Sequence, residues 1–291
     1  MTGDFYISSH FSIRPSVDGE PDYKSVIPNA NMRRRMGRIV KMGVAACAGC
    51  LGKVPGRVPD AVLTASALGC LNYTEKFACE ILDREETMLN PTAFIFSTFN
   101  TLGGQIALLD SLKTYNSTYV NGASSFSDAL LDALLLVSEG HHNVLVLAFD
   151  EIIPTSRAIL ERMGRFSPES EGAVAFLISD SPSECCPCRI SSFSLSAATV
   201  QGNRPMLSDS IESAFLLERE VTGLVGSSID SDSSCDFADS AVPAVPSFER
   251  VSRKVAMPSS GTSSAEVSLP SSGTSSVEVS LPSLDIVIER V

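Results

Sequence analysis

STYVNGASSFSDALLDALLLVSEGHHNVLVLAFDE, residues 117–151, decides how this 291-residue chain is read. A short β-branched and aromatic run leads into the small residues Asn121, Gly122, Ala123, Ser124 and Ser125. An amphipathic helix is expected over residues 126–139, and NVLVLAFDE then reads as a strand. Its nearly continuous apolar character is that of a strand buried on both faces of a central sheet. Strand, tight turn, helix and strand in this order form a crossover unit, and the turn presents a side chain at a helix N-terminus.

The same grammar extends outward. NMRRRMGRIVKMGVAACAGCL places Met36, Val40, Gly43 and Cys47 at helical spacing on one face, widened by Ile39, Val44 and Cys50, with Arg34, Arg38 and Lys41 on another. DAVLTASAL predicts a strand, TEKFACEILD a helix begun by a Thr cap, PTAFIFSTFN a hydrophobic strand and GGQIALLDSL a helix. EGAVAFLIS and RISSFSLSA predict a closing pair of strands. Alternating strands and helices with short Gly, Pro and Asn punctuation predict an α/β domain with a mixed central sheet and helices on both faces.

The organisation changes near residue 180. Residues 1–180 hold 20 acids against 15 bases, and residues 181–291 hold 14 against 7, within a formal charge of −12. After about residue 200, Ser, Asp and Pro dominate, and a twelve-residue unit appears in tandem as PSSGTSSAEVSL and PSSGTSSVEVSL, with Pro282 opening a third copy that breaks off. Two Ser-rich copies carry too little apolar surface to offset backbone ordering, so a largely disordered acidic tail is expected. The alternative is that AEVSL, VEVSL and LDIVIERV pair as short strands. The division expected is 1–199 for the main domain, 200–240 for a remnant of a second half or a linker, and 241–291 for the low-complexity tail.

Function classes narrow from composition. An acidic surface without a basic stripe argues against nucleic-acid binding. The basic residues cluster at Arg33, Arg34, Arg35, Arg38 and Lys41. No segment has the roughly 18 uninterrupted apolar residues of a membrane helix, and the first residues lack a signal-like pattern, so no membrane insertion and a cytoplasmic location are expected. The eight scattered cysteines read as reduced thiols. CAGC at residues 47–50 lies inside a helix, and Cys185, Cys186, Cys188 and Cys235 lack paired zinc knuckles, so no metal or cofactor is expected.

Taken in order, the RRRM helix, NPTAFIFSTFNTLGGQIA (residues 90–107), NGASSFSDALLDALLLVSEG, VLVLAFDE and EGAVAFLIS resemble the N-terminal half of a β-ketoacyl synthase, a condensing enzyme of the thiolase fold. The likeness runs from Phe5 to Ala198. It is narrowest to the short ketosynthase-like chain length factors of aryl polyene and flexirubin-type pigment systems. The resemblance implies a nucleophilic cysteine at the turn, because a helix N-terminus favours the thiolate that carries the acyl chain, and two histidines from the second half of the fold. The matching position here is Gly122, and no cysteine lies between Cys79 and Cys185. The only histidines are His10, His141 and His142, all upstream of the expected pair.

No catalytic residue is therefore expected. Ser124 is the one alternative nucleophile, but position 126 is Phe rather than the Gly of a G-x-S-x-G elbow and no downstream histidine supplies a base. The resemblance implies a heterodimer with a full-length ketosynthase and contact with an acyl carrier protein, in polyene or fatty-acid-like assembly. Asn116, Ser117, Thr118, Tyr119, Val120, Asn121 and Phe126 are the expected partner interface, and the Arg33–Lys41 cluster is the expected carrier-docking patch. Phe94, Phe96 and Phe99 are candidates for tunnel or core contacts. A homodimer, an independent acyl-transfer enzyme or hydrolase using Ser124, and a repurposed binding scaffold remain alternatives.

Overall fold

The structure is a computed structural model that describes residues 4–164, 166–195, 209–226 and 275–291. Among the described residues eight strands form one mixed sheet: β1 (Phe5–Ile13), β2 (Ala61–Ala65), β3 (Tyr115–Tyr119), β4 (Asn143–Asp150), β5 (Gly172–Ser179), β6 (Cys188–Leu195), β7 (Ser276–Ser280) and β8 (Leu284–Arg290). Their spatial order is β3-β2-β4-β5-β1-β6-β8-β7. β2 runs parallel to both β3 and β4, whereas β5 is antiparallel to its neighbours β4 and β1. The helices are α1 (Pro15–Asp18), α2 (Tyr23–Val26), α3 (Ala30–Arg35), α4 (Arg38–Gly52), α5 (Leu71–Asp83), α6 (Pro91–Ser97), α7 (Thr101–Leu109), α8 (Ser125–Ser138), α9 (Pro154–Arg162) and α10 (Asp209–Gly226).

Alternation along the strands divides the core. Val144, Val146 and Ala148 of β4 join Phe126, Leu130 and Leu134 of α8 and Phe215 and Leu217 of α10 on one face. Leu145, Leu147 and Phe149 join Ile39, Val40 and Met42 of α4 and Leu102 and Ile106 of α7 on the other. The period of two that sends neighbouring residues to opposite faces thus explains why NVLVLAFD is apolar throughout. Every residue of β5 is buried as well. Gly49 of α4 lies under the Phe11 ring, where a Cβ would meet ring carbons at 2.6 Å.

Three local expectations change. PTAFIFSTFN is not a strand: residues 91–97 form α6, because Asn90 accepts from the Thr92 N–H at 2.9 Å and Pro91 presets the first helical turn. α5 begins at Leu71, and Thr74 is not its cap; its hydroxyl instead donates to Cys70 O at 3.0 Å. AFLLEREVTGLVG, within the stretch expected to be a remnant or a linker, belongs to α10, with Ile211, Ala214, Phe215, Leu217, Val221 and Leu224 buried at helical spacing.

Of the tail, VEVS and LDIVIER form the β7–β8 hairpin, with Val279, Leu284, Ile286 and Ile288 buried. This is the strand-pairing alternative for those two segments. β8 finds a neighbour in β6, which relieves the marginal stability of an isolated hairpin. AEVSL and the first repeat lie outside the described residues. No single helix among the described residues is long and apolar enough to cross a membrane.

Candidate functional site

The C-terminal ends of parallel β2, β3 and β4 converge on the turn that opens α8, which is the end at which open α/β sheets bind ligands. Gly122 begins a short 3-10 turn through Ser124 and has φ +57°, in the left-handed region where a side chain is disfavoured. Ser125 is fully buried and ties the turn to the sheet: its Oγ accepts from Asn121 N at 2.8 Å and lies 2.7 Å from Gly122 O and 3.1 Å from Ser66 O. Ser124 is held through its backbone: its N–H donates to Asn121 O at 3.2 Å and its carbonyl accepts from the Ser127 hydroxyl at 3.0 Å. The first turn of α8 is further held by Asp128, which accepts from Asn121 Nδ2 at 2.8 Å and from Ser283 Oγ at 2.9 Å.

Beside this turn lies a carboxylate pair that sequence reasoning did not single out. Asp150, fully buried at the end of β4, accepts from Ser66 Oγ and Leu68 N at 2.7 Å and from Ala67 N at 3.0 Å. Ser66 Oγ in turn accepts from Gly69 N at 2.6 Å. Burial pushes the Asp150 carboxyl up to about 7 in spite of these donors, which pull it down. Glu151 accepts from Asn72 N at 3.0 Å, and burial raises it to about 7 as well. Cys70 in the same loop is buried, and desolvation together with Glu151 and Asp150 lifts its thiol to about 12. A thiol so shifted is no nucleophile near neutral pH. The signal for this cluster was the DE pair ending an all-apolar strand, since charges buried at a strand end need donors.

The histidines stand elsewhere. His141 and His142 precede β4, whose eight residues separate them from the turn by roughly 25 Å at strand rise. His142 Nδ1 lies 2.5 Å from Asp180, which raises the imidazole pKa, and His141 Nδ1 lies 3.5 Å from Asp60. His10 is half-buried on β1, its Nδ1 3.9 Å from Glu218, and desolvation and Lys53 lower it to about 4. The structure thus brings none of the three to Gly122 or Ser124.

β3 is one edge of the sheet, with β2 on one side and no strand on the other among the described residues. Tyr115, Asn116, Val120 and Asn121 are exposed and Ser117, Thr118 and Tyr119 half-buried. Asn116 Nδ2 donates to Gly103 O at 3.0 Å and Thr118 Oγ1 lies 2.8 Å from Thr64 Oγ1. Phe126 leaves the expected interface set: it is fully buried, 5.7 Å from the Phe176 ring centroid, because the first turn of α8 points into the core. Phe96 is core, whereas Phe94 and Ile95 are more than half exposed and Phe99 covers Gly69. α3, α6 and α7 enclose an open groove of about 720 Å³ lined by Met32, Met36, Ile95, Phe96 and Leu108, with Arg35 among its polar residues.

The basic cluster is partly spent within the chain. Arg38 pairs with Glu20 at 2.5 Å and with Glu171, and Arg33 donates to Ile27 O and Pro28 O. Lys41 Nζ stands 5.8 Å from the Tyr23 ring centroid. Arg34 and Arg35 are exposed. No group of three or more His, Cys, Asp or Glu side chains among the described residues is arranged to hold a metal, and Cys235 lies outside them.

An open mixed sheet with this strand order and a helix springing from a glycine turn beside β3 is a thiolase-like architecture. Residues 14–222 match the family model described as β-ketoacyl synthase, N-terminal domain, and the chain belongs to that family. The fold is similar to a chain of the Xenorhabdus doucetiae ketosynthase ApeO in complex with its chain length factor ApeC, at 19% identity and TM-score 0.54, covering 76% of this chain and 93% of that one. It is also similar to the ishigamide ketosynthase/chain length factor, at 16% identity and TM-score 0.57, covering 68% and 69%. A β-ketoacyl synthase from Burkholderia phymatum matches at 14% identity and TM-score 0.54, covering 76% and 71%. A comparison with curated proteins finds no match.

Proposed function

We propose that this chain is a catalytically silent ketosynthase-like subunit, a chain-length-factor-type partner of an active full-length ketosynthase in polyene or fatty-acid-like assembly. The observation that carries the reading is Gly122 in a left-handed conformation at the head of α8, where the family's resemblance calls for a nucleophilic cysteine. No imidazole reaches the turn to replace the missing machinery. A subunit without a nucleophile contributes surface instead.

The surface is the β3 edge and its surroundings. Unpaired N–H and C=O groups along β3 offer strand addition, and Tyr115, Val120, Phe94, Ile95 and Leu108 leave apolar area open nearby. The groove between α3, α6 and α7 is the candidate wall for a growing apolar chain, and exposed Arg34 and Arg35 are the candidate contact for an acidic carrier protein. Supporting the pairing, similar folds occur in structures of a ketosynthase with its chain length factor.

The test is co-expression with a full-length ketosynthase from the same source. A one-to-one complex that extends malonyl units, while the chain alone extends none, is the expected result. Tyr115→Lys together with Val120→Lys should break the complex and leave the far-ultraviolet circular dichroism of this chain unchanged. Extension by the purified chain alone refutes the reading.

A further inference from the structure

We propose that Cys186 and Cys188 are a reversible thiol–disulfide pair that fastens the C-terminal strand to the sheet. The two residues flank Pro187, and Cys188 N donates to Cys186 O at 2.9 Å, an i→i+2 turn at the head of β6. Such a turn holds its end Cα atoms within the roughly 4.4–6.8 Å that a disulfide spans. Both side chains enter the same core layer, together with Ile190, Ile286 and Ile288. The neighbouring Cys186 thiol and the Arg290 cation hold the Cys188 thiol below its ordinary range, whereas the Cys186 thiol is pushed up. Cys50 is occupied on the other face of the sheet, 3.0 Å from Ser9 Oγ.

The turn is also a junction. Cys188 pairs with Ile7 of β1 and with Arg290 of β8, and Pro187 O accepts the Val291 amide at 2.9 Å. A bond between the two sulfurs therefore fixes the segment that receives the end of β8. All seven cysteines among the described residues are thiols in this structure. Cys186 is 1% exposed and Cys188 fully buried, so peroxide reaches them only when the head of β6 opens locally, and a bulky disulfide oxidant is excluded.

In the chemistry, the Cys188 thiolate attacks one oxygen of hydrogen peroxide, the O–O bond breaks, and the departing hydroxide takes a proton to leave as water. Oxidation removes the Cys188 thiolate charge that holds the proton on Cys186, and the Cys186 sulfur then attacks the resulting Cys188 sulfenic acid. The S–S bond forms, the S–O bond breaks, and hydroxide leaves with the Cys186 proton as a second water. Both thiols are oxidised and the peroxide is reduced; a dithiol reductant reverses the change.

The experiment treats the folded full chain with hydrogen peroxide, quenches it, unfolds it in an alkylating agent and maps the tryptic peptide spanning residues 166–189. The expected result is a loss of about 2 Da confined to Cys186 and Cys188, with Cys185 alkylated and the loss reversed by dithiothreitol. Cys185→Ser should keep the bridge and Cys188→Ser should abolish it. Amide exchange at Arg290 and Val291 should slow on oxidation. A bridge that includes Cys185 or Cys50, alkylation of all three thiols after peroxide, or unchanged exchange at Arg290 and Val291 overturns the proposal. Fragment mapping of the unsubstituted chain decides the bridge even where a serine variant fails to fold.

Discussion

Replacing Asp150 with alanine should cost about 3 kcal/mol of folding stability, whereas replacing it with asparagine should cost under about 1 kcal/mol. The alanine variant leaves three donors, Ser66 Oγ, Ala67 N and Leu68 N, facing a cavity. At about 2 kcal/mol for each lost bond to a charged acceptor, the gross loss is about 6 kcal/mol. Against it stands the desolvation that lifts this carboxyl from 3.8 to about 7. Its relief returns up to about 4 kcal/mol, less where the loop keeps some water, so the balance is a loss of roughly 3 kcal/mol. Asparagine keeps an oxygen at the Oδ1 position for all three donors and carries no charge to desolvate. Urea unfolding of the full chain at pH 7, followed by far-ultraviolet circular dichroism and extrapolated linearly, gives both values. Equal midpoints for the two variants would show that the loop from Ser66 to Gly69 does not depend on this acceptor, and the account of the site would fail with it.

Glu151→Gln tests the second buried carboxyl. The folded-state pKa is raised from 4.5 to about 7, so the native state holds the proton longer than the unfolded chain. That group favours folding below about pH 4.5 and loses its contribution, about 3 kcal/mol, as pH rises to about 7. The glutamine variant should flatten the decline in unfolding midpoint between pH 5 and pH 8, and an unaltered slope counts against the shift. Gly122→Ala should lower stability by about 1 kcal/mol through its positive φ, measurable as a lower urea midpoint; no loss would mean that the turn relaxes. Ser283→Ala should cost about 1 kcal/mol and accelerate amide exchange across β7 and β8, because it removes the hairpin's bonds to Ser127 and Asp128.

Long periodic segments carried the fold in the sequence. NVLVLAFD, GAVAFLIS and the α4 stripe are apolar because both faces or a whole helix side are covered, and their types follow from pattern alone. Composition misled at PTAFIFS, where β-branched and aromatic residues suggested a strand while the Asn90-Pro91 start signal settled a helix. β1 was obscured by the adjacent Ser8 and Ser9 in FYISSHFSI: the register slips between Ile7 and Ser9, so apolar alternation breaks at Ser8. The turn at Gly122 was legible because Asn, Gly and Ser mark it. The Asp150 clasp was not, since its partners are backbone amides 82 and 83 residues away in the chain. The edge position of β3 likewise depends on strand order, which no local pattern encodes.

β1 lies in the interior of the sheet although it opens the described chain, and Ser8 meets Ser179 across 171 residues. During synthesis at about 5–20 residues per second, this strand emerges and then waits roughly 10–30 s for β5 to be made. Ile7 and Phe5, buried in the finished protein, stay wet throughout that interval. Slowing translation between α4 and β5 therefore lengthens the time for which this strand lacks its β5 partner.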